Sequence, residues 1–307
     1  MSQAPAAQRW VMAGYDGSEQ ARSAVDWAAR EAGSRGCALA VVNVVHWPIP
    51  GPRLVPGTDE ATQELTARTQ AEALLADLAD ELGESWPELT VRTSVESGRT
   101  AETLAGLARQ AELLVIGEAG QGGLPRVVLG STAAEVLHTC ERPVVVVRPA
   151  GSPDGTGPVV VGVDGSDISS AAVAFACDFA DRHRRELVAV HAWTDLPMHA
   201  MEPTGGWAED WQDIRRRGQE LLAESLADHA RRHPDVVVRR TISLDRPARA
   251  LLDAADGAAL LVVGSHGRGT LGRLLLGSVS HAMIYHAPCP VAVVHATGES
   301  RAEPSAR

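Results

Sequence analysis

The sequence predicts two tandem doubly wound α/β domains, each a five-stranded parallel sheet with helices on both faces. Three observations lead there. The chain of 307 residues repeats itself: Val11-Met12-Ala13-Gly14-Tyr15-Asp16-Gly17-Ser18 returns as Val159-Val160-Val161-Gly162-Val163-Asp164-Gly165-Ser166, and Leu113-Leu114-Val115-Ile116-Gly117 as Leu260-Leu261-Val262-Val263-Gly264. A repeat of this length sets the domain count before any element is assigned. Within each half, short apolar runs rich in β-branched residues alternate with stretches whose apolar residues recur at helical spacing. After the fourth apolar run, both halves read Gly, two residues, Gly, nine residues, Gly-Ser.

Taken in order, the first half opens with a strand at Val11–Tyr15, a continuous apolar run of the kind buried on both sheet faces. Further strands are expected near Ala40–Val45, Leu89–Val95, Leu113–Ile116 and Val144–Val147, with helical segments between them. The second half repeats the order. A strand at Val159–Val163 precedes a helix over Ser166–Arg182, then a strand at Leu187–His191 and a long helix from about Trp207 to Arg232. A strand at Val236–Ile242, a helix near Pro247–Ala255, a strand at Leu260–Val263, a helix near Val279–His286 and a strand at Val291–Val294 complete it. Ser18 and Ser166 stand where a capping hydroxyl belongs, ahead of the first helix of each half. Pro143 and Pro290 fit as first residues of the last strands, where a missing N–H is tolerated. Five such strands separated by helices make a parallel sheet, because right-handed crossovers put helices on both faces. The domains are expected at 1–149 and 158–296, with a Gly-, Pro- and Ser-containing linker at 150–157 and a flexible tail at 297–307.

Composition narrows the chemistry. A net charge of −11 and the lack of an arginine-rich stretch with interleaved aromatics argue against nucleic acid, whose phosphates call for a basic surface. The chain has no lysine, so all 28 basic residues are arginine. That excludes the Walker A loop, the pyridoxal Schiff base, lysine aldolases and the protein-kinase lysine, each of which needs the amine. Cys37, Cys140, Cys177 and Cys289 stand singly, which points to a reducing cytoplasm and away from a structural metal site. No apolar run approaches the roughly 18–20 residues of a membrane span.

In doubly wound sheets ligands bind beyond the carboxyl ends of the strands, at the crevice where strand order reverses. Strand one of each half finishes at Asp16 or Asp164, and strand four at Gly117 or Gly264. The glycines Gly117, Gly120 and Gly130, and Gly264, Gly267 and Gly277, would let the backbone approach a ligand and adopt positive φ. Ser131 and Ser278 then open helices whose unpaired N–H groups suit phosphate. An aspartate opposite such a loop would accept a hydrogen bond from a ribose hydroxyl, or cap the following helix, or do both. A formal GxGxxG, Gly267-Arg268-Gly269-Thr270-Leu271-Gly272, fails as a dinucleotide fingerprint. It does not lie in a first βαβ unit, and no acidic residue occurs between Gly272 and Glu299.

These residues resemble the universal stress protein family in its tandem, ATP-binding branch, over about Arg9–Arg148 and Pro158–His295. The resemblance implies an adenine nucleotide alpha hydrolase-like fold, with ATP and Mg²⁺ as the bound ligand. It implies that Asp16 and Asp164 contact the ribose side of adenosine and that Val44 and Ala192 flank the adenine. The glycines, Ser131, Ser278 and the adjoining Val279 would cradle phosphates. Ser280 matches a further phosphate-contacting hydroxyl, where the first half has Ala133. The resemblance also implies pairing of the two last strands into an internal pseudo-dimer, and a homo-oligomer, a dimer of tandem chains.

The halves differ after the first loop glycine. The second has Ser265, His266 and Arg268; the first has Glu118, Ala119 and Gln121, a carboxylate where phosphate charge should collect. Arg126 and Arg273 align as one cation each. The second site is therefore expected to bind ATP more tightly, since opposed like charges cost about 1 kcal/mol or more. With no base dyad beside either loop, the expected function is a non-catalytic, nucleotide-dependent stress-response regulator with a protein partner of unknown identity. Nucleotide would order the segments Glu118–Leu129 and Ser265–Leu276. The rivals are a slow Mg²⁺-dependent ATPase or phosphotransferase and a nucleotide-free interaction scaffold.

Overall fold

The computed structural model describes residues 9–46, 60–120, 129–148, 156–193, 207–267 and 276–295. Residues 150–155 of the expected linker, the expected tail at 297–307, Gln121, Arg126, Arg268 and Arg273 lie outside the described residues. The first half runs β1 (Trp10–Gly14), α1 (Glu19–Arg35), β2 (Ala38–Val45), α2 (Glu60–Ser85), β3 (Val91–Ser97), α3 (Thr100–Ala108), β4 (Leu113–Gly117), α4 (Ser131–Thr139) and β5 (Val144–Val147). The second repeats it as β6 (Val159–Gly162), α5 (Asp167–His183), β7 (Leu187–Ala192), α6 (Trp207–Arg232), β8 (Val238–Ser243), α7 (Pro247–Ala254), β9 (Leu260–Gly264), α8 (Ser278–His286) and β10 (Val291–Val294). Two elements start later than the hydrophobic pattern suggests. Leu89 and Val236 pack on the core from the preceding turns, and the ladders begin only at the pairs Leu39↔Val91 and Leu187↔Val238.

All ten strands form one sheet, in the order β3-β2-β1-β4-β5-β10-β9-β6-β7-β8. Within each half every pair is parallel; the halves meet where β5 and β10 run antiparallel, with Val146 opposite Val291 and Val144 opposite Val293. This pairing removes two apolar edges that would otherwise invite aggregation. The outer edges, β3 and β8, carry the exposed charges of Arg92, Arg239 and Arg240 instead.

The sheet divides the interior into two cores. One lies under α1, α2, α5 and α6 and includes Leu39, Leu75, Leu78, Leu82, Leu187, Leu222 and Leu226; the other lies under α3, α4, α7 and α8 and includes Met12, Leu114, Val136, Leu137, Leu261 and Met283. Both cores are continuous across the two halves. On the first face α1 meets α5, with Trp27 and Phe179 stacked at 6.0 Å. Beside them Glu31, 1% exposed, accepts hydrogen bonds from Arg35 (2.6 Å) of its own helix and from Arg182 (3.1 Å) and His183 (2.7 Å) of α5. Burial acts to raise the Glu31 carboxyl, but the His183 hydrogen bond and the two arginine charges outweigh it and hold the group below its ordinary range.

Candidate functional site

The Asp-Gly-Ser that follows each first strand folds into a self-contained turn. Asp16 Oδ1 accepts from the Ser18 amide (3.0 Å) and hydroxyl (2.6 Å), Gly17 supplies φ 85°, and Ser18 Oγ accepts the Ala21 N–H (3.2 Å) to cap α1. In the second half Asp164 Oδ1 takes the Ser166 amide (2.9 Å) and hydroxyl (2.7 Å), Gly165 has φ 78°, and Ser166 Oγ caps α5 at Ser169 (3.2 Å). One carboxylate oxygen of each aspartate is thus spent on the turn. The other, Oδ2, faces the glycine loop: a Cβ on Gly120 would come within 2.4 Å of Asp16 Oδ2, and one on Gly267 within 2.6 Å of Asp164 Oδ2.

The loop glycines are required for close approach and not, as expected from the sequence, for positive φ. Among the described residues none of the six has a positive φ. A Cβ on Gly117 would lie 2.7 Å from the Gln20 carbonyl carbon of α1, and one on Gly264 2.7 Å from the Ile168 side chain of α5. Gly130 and Gly277 are the residues just before α4 and α8, at φ −61° and −62°. Their N–H groups close the loop onto Glu118 O (2.7 Å) and Ser265 O (2.8 Å). Neither α4 nor α8 receives a side-chain cap, so their first-turn N–H groups, with exposed Ser131 and Ser278 at the first helical position, remain available to an anion.

In the first half these parts surround a cleft of about 600 Å³ over the carboxyl ends of β1 and β4, within the roughly 300–1,000 Å³ usual for small-molecule sites. Val42, Val44, Leu104 and Ile116 give it an apolar wall. Asp16, Gly117, Ala119, Gly120 and Gly130 through Ala133 complete its lining, with Asp16 Oδ2 close against Gly120. In the second half Ala192 is half-buried at the end of β7, Val279 is half-buried in the first turn of α8, and Gly264 and Gly267 adjoin α5 and Asp164 as their counterparts do.

Three residues singled out by the sequence have partners of their own. Glu118 does not line the cleft; it pairs with Arg148 at 3.3 Å, so the premise for a weaker first site, a carboxylate facing phosphate, does not hold. Ser280 is 3% exposed and its hydroxyl donates to the Gly264 carbonyl, tying α8 to β9. His266 is held by Ser265 Oγ (3.1 Å). Sequence reasoning also missed a pair. Asn43 Nδ2 donates to Tyr15 O (2.8 Å) and His191 Nδ1 to Val163 O (2.7 Å), each fixing the backbone one residue before the aspartate. The signal was present in the sequence as two polar residues at matching places of otherwise apolar second strands.

Fold and site together define a tandem doubly wound α/β protein with a glycine-loop cleft at the carboxyl edge of its sheet. The universal stress protein family model matches residues 9–148 and 156–295, and the chain belongs to that family. It is 39% identical over 292 residues to a universal stress protein of Mycolicibacterium smegmatis, covering 92% of this chain and 96% of that one. A universal stress protein of Mycobacterium tuberculosis H37Rv is 38% identical over 297 residues, covering 94% and 98%. Among solved structures, a universal stress protein from Archaeoglobus fulgidus has the same fold at TM-score 0.68 and 19% identity, over 94% of this chain and 99% of that one. No described helix is long and apolar enough to cross a membrane.

Proposed function

We propose that the chain is an ATP-binding tandem universal stress protein that acts without catalysis, its nucleotide occupancy setting how it engages a regulatory partner in the cytoplasm. The observation that carries this reading is the first-half cleft, which brings an apolar wall, the Asp16 carboxylate, the glycine loop and the uncapped N-terminus of α4 together. A ribose hydroxyl would donate to Asp16, the adenine would lie on Val42 and Val44, and phosphates would meet Gly120, Gly130, Ser131 and the first amides of α4. In the second half Asp164, Ala192, Gly267, Gly277, Ser278 and Val279 would do the same. Gly117 and Gly264 serve the site indirectly, by letting the first helix of each half sit against the loop.

The residues fit the nucleotide better than they fit a dedicated hydrolase. Asp16 is the one carboxylate among the described cleft residues, and its Oδ1 is already committed to Ser18. No group of three or more metal-ligating side chains occurs among the described residues, so Mg²⁺ would arrive held chiefly by the phosphates. Two domains, at 1–149 and 158–296 with a linker at 150–157, and a dimer of tandem chains belong to the same proposal. Hydrogen exchange on the full chain tests it. Mg-ATP should protect the amides of 114–120 and 129–134 in the parent, and Asp16→Ala should require much higher ATP for the same protection; unchanged exchange at millimolar ATP would refute the reading.

A further inference from the structure

At the seam between the halves, two residues that leave the last strands reach across to the opposite half. Arg148, directly after β5, donates from Nη1 to Tyr285 O and Ala287 O (both 3.2 Å) and from Nη2 to Ile284 O. These carbonyls end α8, where a cation also meets the negative end of the helix dipole. Its Nε faces Glu118 at 3.3 Å, the residue between Gly117 and Ala119 in the first-half loop. Arg148 and Glu118 side chains are 13% and 24% exposed, so little solvent screens the pair. His295, directly after β10, makes the reciprocal but weaker contact, from Nε2 to Leu137 O (3.2 Å) in the last turn of α4.

The consequence is geometric. The first-half loop is joined through Glu118 and Arg148 to the C-terminus of α8, and the N-terminus of α8 is the uncapped turn at the second-half loop. A nine-residue helix spans only about 13 Å and moves as a rigid rod. Resting on the nucleotide reading above, we propose that the two sites bind ATP with positive coupling, carried mainly by the Glu118–Arg148–α8 tether. Ligand that orders the loop from Gly117 to Gly120 fixes Glu118 and with it Arg148; α8 is then held for the second ligand, which pays less ordering entropy. The tether through His295 contributes less, because it reaches α4 through a hydrogen bond to a backbone carbonyl and burial lowers the histidine pKa, favouring the uncharged ring.

The test is a site-resolved titration with Mg-ATP, read as hydrogen-exchange protection of 114–120 for the first site. Gly267→Val blocks the second site by driving a side chain into Asp164. Blocking should raise the ATP concentration needed at the first site by about threefold or more, since for two like sites the shift is the square root of the coupling factor and a factor of about ten is ordinary. In an Arg148→Met background the same block should change it less than about twofold. Glu118→Gln, which cuts the loop from Arg148 while leaving Arg148 on α8, should abolish the effect in the same way and guards against an Arg148 variant that folds poorly. A first site indifferent to the block, or tightened by it, or equally affected in all three backgrounds, would overturn the coupling alone. No saturable protection in the parent would overturn the nucleotide reading and the coupling with it.

Discussion

Replacing Glu31 tests how the two halves are held together. Its carboxylate is 1% exposed and serves Arg35, Arg182 and His183, two of them from the other half. In Glu31→Ala, Arg182 loses its carboxylate and His183 its acceptor at a site that water barely reaches, while Arg35 keeps Glu112 at 2.8 Å. Breaking a buried pair costs about 3–5 kcal/mol. The Arg182 and His183 side chains keep 23% and 25% of their surface in water, so the lower figure, about 3 kcal/mol, is expected. The pH dependence has a definite sign. A carboxyl held below its ordinary 4.5 in the folded state stabilises fully above that value, and the contribution is lost as the pH falls through the lower folded pKa. Urea unfolding of the parent and of Glu31→Ala at pH 7 and at pH 3 should therefore show a large gap that narrows in acid. A gap of about 1 kcal/mol or less at pH 7, the range of exposed pairs, or one that widens in acid, would refute the reasoning.

Gly117→Ala should destabilise the fold by about 1–3 kcal/mol in urea melts, because its Cβ meets the backbone of Gln20, which cannot swing away. Gly120→Val should leave the urea midpoint nearly unchanged while weakening ATP binding at least tenfold by calorimetry, since its side chain strikes Asp16 Oδ2 at the exposed rim. Asn43→Leu should cost about 1–2 kcal/mol of stability by the same melts, by leaving the Tyr15 carbonyl without its donor. Burial pushes the Cys177 and Cys289 thiols up to about 12, so iodoacetamide at pH 8 should label them only after denaturation, as peptide mass spectrometry would show.

The sequence made most of the fold legible because the chain writes it twice. Buried β-branched runs and Ser18 and Ser166 as caps follow from local chemistry, Pro143 and Pro290 stand one residue before the last strands instead of opening them, and Val144–Val147 and Val291–Val294 pair across the seam as the family resemblance implied. What stayed hidden depends on side-chain direction. Glu118 could be placed beside the loop from its number alone, but its turn toward Arg148 depends on a helix from the other half, which no local spacing encodes. The same holds for Ser280, whose hydroxyl points back to Gly264, and for Glu31, an ordinary helix residue by pattern that becomes buried only because α5 lies against α1. Gly117 and Gly264 were read from their spacing as ligand-facing; that their bare Cα also lets the first helix of each half pack close is something only three-dimensional packing shows.

On the proposed reading, both glycine-loop sites take an adenine nucleotide. Calorimetric titration of nucleotide-stripped chain with Mg-ATP, with mass analysis of whatever stripping releases, tests it most directly. Two equivalents per chain are expected, reduced to one by Gly120→Val or by Gly267→Val and to none by both. No heat in the parent and no nucleotide released would contradict it, and would leave the glycine loops as packing devices in an interaction scaffold.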